Sequence, residues 1–302
     1  MFTHLLVPLD GSRLAEAVLP VTVGLARSLA AAVTLLHVIE RDAPATVHGE
    51  PHLTDPAQAL AYLEQVGAGL RAQGLTVTTH VHEVAEGNVA RSIVEHAEEF
   101  GPDLIVLSTH GAGGLRGLLF GRIAQQVLSL QTTPVLIVAP NSAEPPPTFA
   151  CRRILVPLDA DPRHEVALDV AAGLARACGA TLSLIHVVPT RETLSGEEAA
   201  TGMLMPRAMS AVLDLSEAGA AAYLQAHREA LEAQGLHVET VVYRGEPAAV
   251  LAGLADSVDL VVLATHARKG LDAFWQGSVA PRLLSRSHCP LLFVRAADEP
   301  SA

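Results

Sequence analysis

The chain has 302 residues, 50% of them hydrophobic and 17% charged, which leaves little room for disorder and suits two ordinary cores better than one. A formal charge of -12 with only 3% aromatic residues offers neither a phosphate-tracking basic stripe nor a base-stacking platform, which argues against nucleic acid as a partner. Cys151, Cys178 and Cys289 are odd in number and share no C-x-x-C spacing, so a disulfide framework or thiolate zinc site is not expected and a reducing, cytoplasmic setting is.

The first residues, MFTHLLVPLD, lack the basic, apolar and small-residue regions of a signal peptide, so the mature protein is expected to begin there. HLLVPL reads as a first buried strand, AVTLLHVI as a second, TVTTHVHEV as a third, DLIVLST as a fourth and PVLIVA as a fifth, with Ala-rich helical stretches between them. Continuous Val, Ile and Leu runs of this length suit strands covered on both faces, hence a parallel sheet with helices on either side. Residues 123–143 are uncharged but interrupted by Gln125, Gln126, Gln131, Pro134 and Asn141, which argues against a membrane span. PNSAEPPPTFA (140–150) is rich in proline and reads as a linker.

Beyond it the series starts again. Residues 4–40 match 153–189 without a gap at an offset of 149, QGL recurs at an offset of 161, and DLIVLSTH (103–110) returns as DLVVLATH (259–266) at 156. Such a period is far above that of a stacked repeat, so the chain is a duplication of whole domains. The expected architecture is two tandem doubly wound α/β domains of five parallel strands, residues 1–140 and 152–297 joined by 141–151. Ligands of such sheets sit beyond the carboxyl ends of the strands, where the loops after the first and fourth strands meet. In the first copy those loops are PLDGS and STHGAGG.

A turn that leaves a strand and enters a helix presents unpaired backbone N–H groups and the positive end of a helix dipole to phosphate oxygens. Gly111, Gly113, Gly114, Gly117 and Gly121 supply that freedom before the helix RIAQQVLSL. On spacing alone the same turn serves packing as readily as phosphate binding.

LVPLDGS, LLHVIE, STHGAGGLRGLLFG and TTPVLIVAP, with the matching series in the second copy, resemble the universal stress protein family over essentially the whole chain. The resemblance implies a Rossmann-like tandem form in which two domains pair as an intrachain pseudo-dimer through their last strands, with a further homodimer as an option. It also implies an adenine nucleotide, ATP or ADP/AMP with Mg, as ligand. Carried over, Asp10 and Asp159 would contact the adenine end, and backbone at Val38 and Val187 would line the base. Gly111, Gly121 and Arg122 would meet ribose and phosphates in the first copy, with Pro8, Ser108 and Gly114 in the same loops. Gly277 and Ser278 would do so in the second, aided by Arg268.

The ATP-binding pattern of the family is Gly-x-x-Gly, nine residues, then Gly with Ser or Thr, and both copies depart from it. In the first, Ser108 takes the first glycine position and Arg122 the hydroxyl position. In the second, Ala264 and Ala267 replace two glycines. Alanine at a position needing positive φ costs about 1–2 kcal/mol, so the first copy is expected to be the better site. An aspartate ending a first strand also serves simply to cap the following turn.

His80 and His82 share a face of a strand, but two ligands without a third do not define a metal site, and none is expected. His37 and His186 read as satisfied core histidines, and His110 and His266 as loop-orienting groups. Met203, Met205 and Met209 read as packing residues or an adaptable grip on an unidentified protein partner, and Trp275 either shields or blocks the second site. No triad or general base is identifiable, so the expected function is regulatory nucleotide binding with at most slow incidental hydrolysis. The alternative is a nucleotide-independent interaction module that keeps the fold.

Overall fold

The computed structural model describes residues 1–40, 46–47, 50–84, 88–109, 122–130, 132–140, 148–194, 204–265, 279–284 and 286–296. The first half runs β1 (His4–Pro8), α1 (Arg13–Glu16), α2 (Leu19–Leu29), β2 (Ala32–Glu40), a minimal hairpin of β3 (Thr46–Val47) and β4 (Glu50–Pro51), α3 (Pro56–Arg71), β5 (Val77–Val84), α4 (Val89–Phe100), β6 (Leu104–Ser108), α5 (Arg122–Leu130) and β7 (Val135–Val138). The second half runs β8 (Arg153–Pro157), a 3-10 turn (Pro162–Glu165), α6 (Val166–Cys178), β9 (Thr181–Val188), α7 (Pro206–Glu232), β10 (Val238–Arg244), α8 (Pro247–Ala255), β11 (Leu260–Thr265), α9 (Val279–Leu284) and β12 (Leu291–Arg295). The uncharged stretch near residue 130 is therefore a helix followed by a strand. Among the described residues no helix is long and apolar enough to cross a membrane.

All ten long strands form one sheet in the order β10-β9-β8-β11-β12-β7-β6-β1-β2-β5. Pairing is parallel within each half and antiparallel only at the centre, where Val135, Leu136 and Ile137 face Phe293, Leu292 and Leu291. The two last strands thus shield each other's edges, as their apolar sequences require. Strand alternation sorts the core into two layers. Leu5, Val7, Val33 and Leu35 join Ile154, Val156, Leu182 and Leu184 in one cluster across both halves. Leu6, Leu36, Val38, Ile105 and Leu107 pack on the opposite face with Ala90, Ile93 and Ala97 of α4.

Local chemistry repeats with the sequence. Asp103 accepts from the backbone N–H groups of Thr3 and His4 at 2.7 and 3.0 Å, and Asp259 does the same for Arg152 and Arg153 at 2.8 and 2.9 Å. Helix ends carry their caps: Asp55 accepts from Gln58 N–H ahead of α3, and Asn88 from Arg91 N–H ahead of α4. Where the halves meet, Gly24 of α2 lies under Phe149 and Gly173 of α6 under Met1, so each half is touched by the residue leading into the other's first strand. The main difference is α7, 27 residues against 16 in α3. Met209 is buried within it, Met205 is exposed, and Met203 lies outside the described residues.

Candidate functional site

The strand order of the first half reverses direction at β1, which sits between β2 and β6. That is the switch point at which a doubly wound sheet leaves a crevice. Val38 on β2, Asp10 just after β1 and Ser108 at the end of β6 therefore come to the carboxyl ends of three neighbouring strands. Pro8 closes β1 opposite Leu36, and Leu9 N–H donates to Leu36 O at 2.8 Å. Val38 is buried in the core layer beneath α4. Its second-half counterpart, Val187 on β9, is only half-buried.

The two aspartates are used differently. Asp10 Oδ1 accepts from Ser12 N–H at 2.9 Å and from Ser12 Oγ–H at 2.6 Å. Ser12 Oγ in turn accepts from Ala15 N–H at 3.2 Å, so the carboxylate orders the turn and the turn caps α1. Gly11 makes this possible with φ 89, and a Cβ there would stand 2.7 Å from Leu53 Cδ1. Asp159 Oδ1 keeps the corresponding bond, from Asp161 N–H at 3.1 Å, and Asp159 also holds His164, whose Nδ1 lies 2.9 and 2.7 Å from its two oxygens. Asp161 takes the place of Ser12, and hydrogen bonds from the Arg163 side chain and backbone hold its carboxyl well below the ordinary carboxylate range. The second turn thus adds Arg163 and His164 side chains to its carboxylates, where in the first the bonds to Asp10 come from Ser12.

His37 fixes the first turn from behind. It is 1% exposed, with Nδ1 2.7 Å from Leu9 O and Nε2 3.0 Å from Leu53 O. His186 departs from the expectation of a satisfied core ring: its Nδ1 is buried without a hydrogen-bond partner among the described residues, and burial pushes its pKa down.

Ser108 lies in the fourth strand as expected, whereas the expectation for Ala264 is corrected. Ser108 belongs to β6 and pairs with Val138, while Ala264 belongs to β11 and pairs with Val294. Neither has positive φ, so the alanine penalty expected at Ala264 does not arise. The strands run further than the glycine pattern suggests. Gly111, Gly114, Gly121, Ala267, Arg268, Gly277 and Ser278 lie outside the described residues, as do His110, His266 and Trp275. Arg122 begins α5.

Sequence reasoning missed a grouping below Val38. His82 pairs with Val38 across β5 and β2, His80 lies two residues before it on the same face, and His96 of α4 meets both. The signal for His96 was present: it stands three residues after buried Ile93 and beside buried Ala97, on the stripe that α4 turns to the sheet.

A model of the universal stress protein family matches residues 1–139 and 150–295. Over 150 residues the chain is 29% identical to universal stress protein YxiE of Bacillus subtilis, covering 46% of this chain and 99% of the relative. A universal stress protein of Mycolicibacterium smegmatis is 26% identical over 288 residues, 88% of this chain and 87% of the relative. The solved structure of a universal stress protein from Archaeoglobus fulgidus shares the fold, with a TM-score of 0.70 at 19% identity over 98% of this chain and 97% of that one.

Proposed function

Because the chain belongs to the universal stress protein family and carries its domain twice, we propose that it is a stress-response protein whose first half binds ATP or a related adenine nucleotide, with Mg, as a regulatory ligand. The observation that carries this reading is the convergence of Asp10, Val38 and Ser108 on the carboxyl ends of adjacent strands, directly before the glycine-rich segment. A base has a buried strand to lie against, and phosphates have the backbone N–H groups that lead into α5. The second half suits the ligand less, because both oxygens of Asp159 are engaged by His164 and a ring would have to be displaced. Nucleotide binding to the native state stabilises it by mass action, and that shift is the output of a sensor that turns nothing over.

Calorimetric titration of the nucleotide-stripped chain with Mg-ATP tests the proposal. One site per chain, abolished by Gly111→Val, is the expected result. Absence of binding at any reachable concentration, or binding untouched by that variant, would overturn it in favour of a nucleotide-independent interaction module.

A further inference from the structure

β5 is an outer strand of the sheet, and its face toward α4 carries two imidazoles in succession, His80 and His82. α4 adds a third, His96. The ring centroids of His82 and His96 lie 4.2 Å apart, those of His80 and His96 5.0 Å, and those of His80 and His82 6.4 Å. One ligand nitrogen from each ring lies within 4.8 Å of the other two. Three imidazoles from two elements are thus brought together.

The tautomer of His96 suits a ligand. Its Nδ1 lies 2.7 Å from Ser92 O, which only accepts, so Nδ1 is the donor there and Nε2 is the nitrogen not used in that bond. A donated second nitrogen is what orients a metal-bound imidazole and raises its basicity. His96 is 4% exposed, and Phe100 walls the group, 4.9 Å from His80 and 5.3 Å from His96 between centroids. Among the described residues, neither His80 nor His82 spends a ring nitrogen on a hydrogen bond. Carboxylates lie around them: Glu83, Glu95 and Glu99 act on His82, and Glu99 on His80.

The second half supplies an internal comparison. Val241 and Tyr243 occupy the register positions of His80 and His82, opposite Ile185 and Val187 as the histidines are opposite Leu36 and Val38. Leu254 follows its helix cap Glu246 by the same eight residues that separate His96 from Asn88. The fold fills this place with apolar side chains when it needs only packing, so three histidines are not required by the architecture.

We propose that His80, His82 and His96 form a binding site for a borderline first-row dication, zinc being the reference ion, with a fourth position left to water or a neighbouring carboxylate. Imidazole nitrogens suit Zn, Ni and Cu, whereas Mg and Ca prefer oxygen. Metal–nitrogen bonds of about 2.0–2.1 Å place tetrahedral ligands roughly 3.4 Å apart, so closure from the present spacing needs about 1 Å of inward movement or less per ring. Bound metal would staple the outer strand β5 to α4. The site stands independently of the nucleotide reading, since none of its three residues belongs to that set.

The test is titration of the metal-stripped full chain with zinc, followed by Co2+ for its visible tetrahedral bands. One equivalent bound, a raised melting temperature and no response to Mg2+ are expected. His96→Leu and the pair His80→Val with His82→Tyr, which copy the second half, should each lose that equivalent. Because a variant can fail to fold, histidine NMR on the unaltered chain is run in parallel. One equivalent of zinc should shift the resonances of these three rings and leave those of His37 in place. No binding, binding retained by folded variants, or shifts confined to other residues would overturn the proposal.

Discussion

The carbonyl oxygen of Phe149 lies 2.6 Å from the point a Cβ on Gly24 would occupy. Backbone of the approach to the second half is therefore pressed against a helix of the first, and only glycine leaves room for it. At the equivalent place in α6, a Cβ on Gly173 would meet Met1 Sδ at 2.9 Å, the end of a flexible side chain. Gly24→Ala should destabilise the chain by about 1–3 kcal/mol, while Gly173→Ala should be close to neutral. Urea unfolding of both variants decides it, and equal midpoints would remove the distinction.

Alanine and glycine exchange places between the halves at two left-handed positions. Gly11 (φ 89) corresponds to Ala160 (φ 63), and Ala30 (φ 52) to Gly179 (φ 67). Each exposed alanine is strained where its counterpart is not. Ala30→Gly and Ala160→Gly should therefore each raise stability by about 0.5–1 kcal/mol, the strain relief exceeding the added freedom of the unfolded chain. A fall in melting temperature for either would show that the strain is absent.

Asp10 serves its turn as well as any ligand, so its replacement must be read in two channels. Asp10→Ala removes the acceptor of both Ser12 bonds and should cost about 1–2 kcal/mol of stability. Asp10→Asn keeps one acceptor and should retain most of that stability while weakening Mg-ATP binding. Thermal unfolding with and without nucleotide separates the two, and equal loss of binding and stability in the Asn variant would assign the residue to the turn alone.

The thiols should react in a fixed order. A hydrogen bond from Cys151 first, with another from Ser28, favours the thiolate of half-buried Cys178 and draws its pKa below the ordinary thiol value, while the same pairing raises that of Cys151. Burial above all pushes Cys289 up to about 12. Alkylation of the native chain should therefore occur first at Cys178, and its rate should level off at lower pH than a free thiol near ~8.5. Peptide mass mapping across pH checks this; simultaneous labelling of all three thiols would contradict it.

The strands were legible because runs such as LIVLS and VLIV admit no solvent face, whereas the central pairing was expected only from the resemblance to the universal stress protein family. The turn after β1 was legible too, since an aspartate and a glycine there have few other uses. His96 was not, because a histidine in a charged helix reads as surface until the helix register is fixed by Ile93 and Ala97. Ala264 misled for the opposite reason: a motif position borrowed from glycine suggested a turn, whereas ladder pairing to Val294 carries the strand past it.

The central seam has a further consequence. Leu136 meets Leu292 at its midpoint, with Val135 against Phe293 on one side and Ile137 against Leu291 on the other. In an assembly of two identical chains the flanking pairs would have to be the same, because a true two-fold axis copies every change onto both sides. Covalent duplication lifts that rule. A small residue on one side can be answered by a large one opposite, and a group useful in one half need not be tolerated in the other. Three histidines can gather under β5 while their counterparts remain valine, tyrosine and leucine, so the molecule has lost a symmetry and gained two surfaces open to separate selection.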